Sequence, residues 1–165
     1  MKSTIREPTS ADIPALAALH VQAWNDTYPQ VQKPPTLEIR QRQWIEQFTI
    51  TDGSWFCFVA ENAAGELVGF AKGERYASGD LPEYDGELNK IYVLKAYHRQ
   101  GLGRRLLEHV IQRFLKQGIT SMVLFGTPNN PACAFHEKHG GQKLFAKNGE
   151  FHGGYGWKDL RATEC

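Results

Sequence analysis

Residues His98–Leu107 read HRQGLGRRLL and join a predicted strand to a strongly periodic helix. Residues 87–93 before them favour a β-strand, and residues 102–117 after them place apolar side chains on one helical face. The N–H groups at the start of that helix are unpaired and carry the positive end of its dipole. Because Gly101 and Gly103 lack a Cβ and arginines surround them, the stretch predicts a site for a phosphate-bearing anion.

Two common nucleotide-binding patterns do not fit this stretch. A P-loop needs G-x-x-x-x-G-K-S/T, which the chain does not contain. The dinucleotide pattern needs a third small residue where Leu106 stands. In that pattern the strand before the glycines opens a βαβ unit, whereas here the predicted strand follows a hairpin. A helix start that uses glycine only for close packing stays open as the alternative.

The surroundings of the stretch narrow the choice of ligand. Residues 98–103 resemble motif A of the GNAT superfamily of acetyl-CoA-dependent N-acetyltransferases, Q/R-x-x-G-x-G/A, with His98 in place of Gln or Arg. Residues 129–140 read NNPACAFHEKHG and are similar to motif B, N-x-x-A-x-x-F-Y-E-x-x-G, at the Asn, Ala, Phe, Glu and Gly positions. The resemblance covers about residues 54–160 and implies that the phosphate is the pyrophosphate of CoA.

The resemblance implies a single mixed α/β (α+β) domain over residues 1–165. Its expected core is a twisted, mostly antiparallel sheet of six to seven strands, flanked by about four helices and splayed at the acetyl-CoA site. The residue pattern predicts helices over residues 10–26, 37–48, 102–117 and 131–139. It predicts strands near residues 3–7, 55–60, 66–72, 87–93, 122–125, 142–146 and 153–160.

The resemblance also implies which residues contact acetyl-CoA, the expected co-substrate. The pantetheine arm would be lined by Ile91, Tyr92 and Val93, with a carbonyl-polarising N–H near Val93, and on its far side by Asn129 and Phe135. The pyrophosphate would be held by His98, Arg99, Gln100, Gly101, Leu102, Gly103, Arg104 and Arg105. No metal is expected, because the histidine and cysteine spacings match no metal motif.

Two residues stand where relatives carry catalytic groups. Glu87 matches the general-base glutamate of the histone-acetyltransferase branch, and on a regular strand it shares a face with Asn89, Ile91 and Val93. A solvated charge at the strand entry is the alternative role. His136 replaces the tyrosine that often acts as general acid, so the imidazole either assists the departing thiolate or only packs against the cofactor.

The resemblance implies a primary amine as acceptor, either a small molecule or a peptide, attacked directly in a ternary complex. Trp24, Tyr28 and Tyr84 lie in or next to the regions that shape the acceptor pocket in relatives. The alternative is a catalytically weak or inactive module that binds CoA as a sensor or structural subunit. The presence of Glu87 favours the enzyme.

The bulk composition restricts the partners of the chain. A net charge of +1 over 165 residues gives no general attraction for nucleic acid or a membrane surface. No apolar stretch approaches the length of a membrane span, and the N-terminus lacks a signal-peptide core. Three cysteines without paired spacing argue against a disulfide framework. We therefore expect a cytoplasmic protein, with a homodimer possible by family precedent.

Overall fold

The computed structural model describes residues 3–163 and contains seven strands and four α-helices in that range. The strands are β1 (Thr4–Arg6), β2 (Trp55–Glu61), β3 (Leu67–Arg75), β4 (Gly86–Val93), β5 (Met122–Phe125), β6 (Gln142–Phe145) and β7 (Phe151–Trp157). The helices are α1 (Ile13–Thr27), α2 (Leu37–Phe48), α3 (Leu102–Lys116) and α4 (Cys133–Lys138). Within residues 3–163, no helix is both long and apolar enough to cross a lipid bilayer.

All seven strands belong to one sheet, in the order β1-β2-β3-β4-β5-β7-β6. Neighbouring strands are antiparallel except β4 and β5, which run parallel with α3 between them in the chain. The predicted fold class, a mixed and mostly antiparallel sheet of six to seven strands with about four helices, is confirmed.

The two parallel strands at the centre of the sheet separate soon after they meet. Only Gly86 with Met122 and Glu87 with Val123 are paired between β4 and β5. The rest of β4 continues to Val93 beside β3 alone, so its other edge faces a gap. This divergence is the splay that the resemblance implied.

A bulge in β4 changes which side chains share a face. Lys72 of β3 pairs with Lys90 while Gly73 pairs with Leu88, so Asn89 is an extra residue on β4. Ile91 then lies on the α3 side of the sheet with Leu88, whereas Asn89 bonds to Lys72 on the other side. The prediction that Glu87, Asn89, Ile91 and Val93 share one face is therefore wrong, because it assumed an unbroken period of two.

Helices cover both faces of the sheet. The amphipathic helix α3 buries one stripe in the larger core, made of Leu106, Leu107, Val110, Ile111 and Phe114. On the opposite face, α1 and α2 bury a second core that contains Leu16, Leu19, Trp44, Val59 and Phe70. Since each large apolar side chain contributes about 1.5–3 kcal/mol when fully buried, these layers hold the splayed sheet in place from both sides.

The last strand lies earlier in the chain than predicted. β7 spans Phe151–Trp157, whereas the sequence predicts a strand near residues 153–160. Asp159 accepts a hydrogen bond from the N–H of Arg161 and caps a short 3₁₀ turn, and the N–H of Leu160 bonds to the carbonyl of Thr120 at 2.7 Å. Leu160 thus lies in a turn outside the sheet. It is as buried as a residue of a central strand, but it forms no strand pairing.

Candidate active site

The turn before α3 leaves a helix start without a side-chain cap. Arg99 has a φ of +64° and Gly101 one of +78°, and no side chain accepts a hydrogen bond from the first turn of α3. A Cβ on Gly101 would meet no atom within 4 Å, so glycine is needed there for its left-handed backbone rather than for space. Unpaired N–H groups and the helix dipole together favour an anion at this point.

Gly103 has a different role, because it lets α4 approach α3. A Cβ on Gly103 would lie 3.1 Å from the ring of Phe135 on α4. Phe135 in turn packs against the ring of His139 with a centroid separation of 4.5 Å. Gly103 is therefore needed for close packing between helices, whereas Gly101 is needed for its left-handed backbone conformation.

The three arginines of the turn point to different partners. Arg99 is exposed, and Arg104 lies 3.9 Å from Glu108, one helical turn further on. Arg105 instead donates a hydrogen bond of 2.8 Å to the carbonyl of Ser3. Its guanidinium is thus engaged by the chain before β1, which departs from its expected place around the pyrophosphate.

The remaining residues of the turn contribute little side-chain charge. Gln100 is exposed, and the side chain of Leu102 is buried in a small core, so only the backbone of Leu102 is available to a ligand. His98 donates a hydrogen bond of 2.7 Å from Nε2 to the carbonyl of Val93. The histidine that departs from the motif therefore ties the end of β4 to the turn, rather than presenting that N–H to a phosphate.

Glu87 occupies the last paired position before β4 and β5 separate. Its carboxylate accepts a hydrogen bond of 3.1 Å from the side-chain amide of Asn89, and the oxygen of that amide accepts one of 3.3 Å from Lys72. The bulge is what allows this, because it brings Asn89 to the same side as Lys72. Glu87 is thus a half-buried carboxylate, oriented by a neighbour, at the branch point of the sheet.

The far end of β4 forms one wall of the gap. Ile91 and Val93 pack toward the α3 core, and Tyr92 packs toward the α1 and α2 core. Burial raises the pKa of Tyr92 to about 12, and the nearby Tyr28 acts in the same direction. Tyr92 therefore stays protonated, and its phenol closes the α1 side of the wall.

His136 is buried among aromatic rings rather than open to solvent. Its ring lies 5.4 Å from that of Tyr155 and 6.3 Å from that of Trp157, measured between centroids. Burial lowers the pKa of His136 to about 4, with a further lowering from His139. Burial therefore disfavours the imidazolium form that a role as general acid requires.

A hydrogen bond connects α1 to the loop before α4. Asn129 is exposed in that loop, while its neighbour Asn130 donates a hydrogen bond of 3.1 Å to the hydroxyl of Tyr28. Asn130 also accepts one of 2.8 Å from the N–H of Ala132 at the start of α4. Motif matching pointed to Asn129 and missed the contact of Asn130, for which the only sequence signal was its suitability as a helix cap.

The three aromatic residues assigned to the acceptor side divide into two groups. Trp24 and Tyr28 form a ring pair with a centroid separation of 5.0 Å at the end of α1, next to the gap. Tyr84 is only 3% exposed, and its hydroxyl would lie 2.4 Å from a Cβ on Gly156. Tyr84 therefore covers the sheet over β7, which corrects its expected place in the acceptor pocket.

Sequence comparison finds relatives along most of the chain. The model of the acetyltransferase (GNAT) family matches residues 16–141. The uncharacterized N-acetyltransferase YuaI of Bacillus subtilis is 32% identical over 98% of this chain and 96% of its own. A Pseudomonas aeruginosa L-methionine sulfoximine/L-methionine sulfone acetyltransferase is 28% identical over 74% of this chain and 70% of its own.

Solved structures share the architecture. The PaiA N-acetyltransferase of Thermoplasma acidophilum in complex with coenzyme A superposes with a TM-score of 0.73 at 19% identity, covering 94% of this chain and 98% of its own. YncA of Salmonella typhimurium, a putative acetyltransferase with its cofactor acetyl-CoA, gives a TM-score of 0.69 at 22% identity, covering 97% and 95%. At these identities the likeness concerns the fold.

Proposed function

The chain belongs to the acetyltransferase (GNAT) family, and from this premise we propose that it transfers the acetyl group of acetyl-CoA to a primary amine, which attacks directly in a ternary complex. One observation carries the proposal: Glu87 lies where β4 and β5 separate, and the uncapped start of α3 follows the other end of β4. At about 3.3 Å per residue, roughly 20 Å of strand edge lies between Glu87 and Val93.

The turn and the gap fit an extended, phosphate-bearing donor. Acetyl-CoA supplies the activated thioester. The N–H groups at residues 101–104 and the exposed Arg99 would hold its pyrophosphate, since α3 offers them no other cap. The free edge of β4 at Ile91–Val93 would bind the pantetheine amides, and Phe135, positioned by Gly103, would line the opposite side. Arg105 supports this arrangement indirectly by anchoring the N-terminal segment.

Glu87 is our proposed general base. An alkyl ammonium has a pKa of about 10.4, so it must lose a proton before it attacks a carbonyl at neutral pH. The Glu87 carboxylate lies at the branch of the sheet, and Asn89 fixes one of its oxygens. Its other oxygen is the one that would take the proton, directly or through one water molecule.

His136 has a packing role in this proposal. Its ring is neutral near pH 7 and is held among Phe135, Tyr155 and Trp157. The departing thiolate then leaves without an imidazolium donor. The thiolate of CoA is a moderate leaving group even without an acid, since a thiol is more acidic than an alkyl ammonium, and it would take its proton from solvent.

Release of free thiol in the presence of acetyl-CoA and a panel of amines tests the proposed function. The panel should contain amino acids, simple alkyl amines, a polyamine and short peptides, and calorimetry should measure acetyl-CoA binding in parallel. We expect tight binding of acetyl-CoA and amine-dependent thiol release. Binding without release for every amine would favour the CoA-binding module, and absence of binding at millimolar acetyl-CoA would overturn the assigned donor site.

A further inference from the structure

Four basic side chains come together on the side of the sheet that α1 and α2 cover. Arg40 lies on α2 and His20 on α1, and Lys72 and Lys90 are cross-strand partners on β3 and β4. We refer to these four residues as the cationic cluster. The ring of His20 packs on Phe70 with a centroid separation of 5.2 Å, which places His20 directly over the sheet, where the charges of Arg40, Lys90 and Lys72 act on it.

The cationic cluster is buried without matching carboxylates. Arg40 is 7% exposed, Lys72 9% and His20 2%, and Lys90 is half-buried. Within residues 3–163, the ion pairs involve other basic residues and none of these four. Burying a cation costs several kcal/mol unless an anion compensates it, so the arrangement is unfavourable for a protein that binds nothing there.

Two donors of the cluster have no acceptor within residues 3–163. Trp44 donates a hydrogen bond of 3.2 Å to Nδ1 of His20, so the proton of the neutral ring is on Nε2. That Nε2 is buried and unpartnered, as is Nε of Arg40, whose NH1 donates to Gln43. Buried donors are almost always satisfied in native proteins, and two in one place indicate an acceptor that the chain itself does not provide.

The charges of the cluster act on one another. The pKa of His20 is lowered to about 3, first by burial and then by the charges of Arg40, Lys90 and Lys72. Burial and the same two neighbours, Arg40 and Lys72, lower the pKa of Lys90, and the carboxylates of Glu74 and Glu87 oppose this more weakly. The local potential is therefore positive, although the chain as a whole is nearly neutral.

We infer that the cationic cluster binds the carboxylate of the acceptor, so that the substrate is a small zwitterionic amine of the amino acid class. This inference rests on the proposed transfer to an amine at Glu87. The link between the two places is direct, because Asn89 bonds both Lys72 of the cluster and the carboxylate of Glu87. The cluster would hold the anionic end while Glu87 receives the proton of the ammonium end.

The burial of the cluster selects among amines. A side chain projecting from a folded protein, or the start of a long peptide, cannot bring its own backbone to His20, Arg40 and Lys72, which are each more than nine-tenths buried. A polyamine would bring further positive charge to Arg40 and Lys72, which like-charge repulsion disfavours. A small molecule with one amine and one carboxylate meets both constraints.

A matched pair of amines tests the carboxylate requirement. L-methionine sulfone and 3-(methylsulfonyl)propan-1-amine share an amine and a sulfone and differ in the carboxylate. A charge-assisted contact of typical strength corresponds to about 10- to 150-fold, so we expect kcat/KM to favour the amino acid by at least tenfold. If kcat/KM for the descarboxy amine, for spermidine or for a peptide that contains acidic residues equals or exceeds that for L-methionine sulfone, the inference is overturned, while acetyl transfer itself stands.

Substitutions assign the preference to the cluster. Lys90→Met and Arg40→Met should each reduce the preference for L-methionine sulfone over the descarboxy amine at least fivefold, because only the amino acid has a carboxylate whose contact is lost. Arg42→Met is the matched control, because Arg42 lies on the same helix but is exposed and pairs with Glu38. Equal loss of activity on both amines in Lys90→Met would overturn the assignment.

A binding measurement keeps this test separate from catalysis. With CoA present, L-methionine sulfone should raise the melting temperature of the wild-type protein, and the descarboxy amine should raise it less. Lys90→Met should remove that difference, and its own melting temperature should not fall, because it removes a half-buried cation that has no ion-pair partner within residues 3–163. If no amine is acetylated, the proposed function fails. A rise in melting temperature that depends on the carboxylate would still support the anion site, and the absence of such a rise would overturn that site.

Discussion

The side-chain amide of Asn130 donates a hydrogen bond of 3.1 Å to the hydroxyl of Tyr28, which connects the loop before α4 to the end of α1. These two elements belong to opposite sides of the splayed sheet. The bond therefore joins elements that pack on the two faces of the sheet. It also brings an aromatic pair, Tyr28 with Trp24, to the rim of the gap between β4 and β5.

Tyr28→Phe tests this connection. Loss of one hydrogen bond corresponds to about 0.5–1.5 kcal/mol, so we expect KM for the amine or for acetyl-CoA to rise about two- to tenfold. The change in kcat should be smaller, since no reacting group is removed. Steady-state kinetics of Tyr28→Phe, Asn130→Ala and the double variant form the measurement. If the bond is the link, Tyr28→Phe adds nothing to Asn130→Ala, and fully additive effects would contradict it.

Gly101→Ala tests the left-handed residue before α3. An L-residue at a φ of +78° costs about 1–2 kcal/mol, and relief of that strain would reorient the N–H groups of the turn. We expect weaker acetyl-CoA binding in calorimetry, together with a lower melting temperature. Gly79→Ala is the matched control, because Gly79 has a φ of +77° and open space around it, far along the chain from the turn. Similar losses of affinity in both variants would argue against a specific role for the turn.

Glu87→Gln tests the proposed base. Removal of a general base typically costs about 10²–10⁴ in rate, so kcat should fall by that order at pH 7.5 while acetyl-CoA binding is retained. Activity should recover in part as the pH rises toward the amine pKa, because more of the acceptor is then already deprotonated. Glu74→Gln, which alters the cross-strand partner of Glu87, should keep most of the activity. An unchanged kcat in Glu87→Gln would remove Glu87 from the mechanism.

His136→Phe tests whether the histidine acts as an acid. Because the pKa of His136 is about 4, its ring does not change charge between pH 6 and 9. We expect the variant to keep kcat within about threefold of the wild type, less than the roughly 10²-fold loss of a true acid, with the same pH profile. A large loss of kcat confined to the low-pH side of the profile would instead support proton donation by His136.

The stability of the protein should depend on pH through its buried histidines. The pKa is lowered from 6.5 to about 4 in His136 and to about 3 in His20, so below pH 6.5 the unfolded chain binds protons that the folded chain does not. The free energy of unfolding should therefore decrease as the pH falls from 6.5 to 4, by up to about 1.4 kcal/mol per pH unit for each histidine. Urea unfolding at pH 7.5 and pH 5 measures this slope.

The same unfolding experiment has an internal control. His136→Phe should reduce the pH dependence, whereas His152→Gln should leave it unchanged, because the side chain of His152 is 65% exposed. Identical slopes in the wild type and His136→Phe would show that another group dominates acid destabilisation.

Local sequence information was sufficient for the elements and for the turn. The apolar stripe of α3, the short apolar run of β5 and the glycines of residues 98–107 are local patterns, and local backbone preference sets each of them. Two motifs in the expected order then led to the family before any tertiary contact was known. For the same reason the order of strands and helices was predicted, while the end of β7 was not, since a buried turn and a buried strand have similar composition.

The direction of individual side chains was decided only by the tertiary structure. One extra residue, Asn89, reverses the alternation along β4 and separates Ile91 from Glu87. Arg99 and Arg105 are six residues apart in one basic stretch, yet their surroundings differ. Arg105 donates a hydrogen bond to the carbonyl of Ser3, whereas Arg99 is exposed to solvent. Nothing in the local sequence specifies where the chain before β1 will pass.

What the sequence by itself determined is therefore the family and the layered sheet, and it also predicts the turn proposed to hold the acetyl donor, because these follow from short-range periodicity and backbone requirements. Only the tertiary structure brought together the residues that we propose for the acceptor side. His20, Arg40, Lys72 and Lys90 are ordinary basic residues on four separate elements. The charges of Arg40, Lys72 and Lys90 meet around the neutral ring of His20 only when α1 and α2 pack over β3 and β4. The proposal for this cluster depends on cations that are buried without carboxylate partners, and such burial arises only when the chain folds.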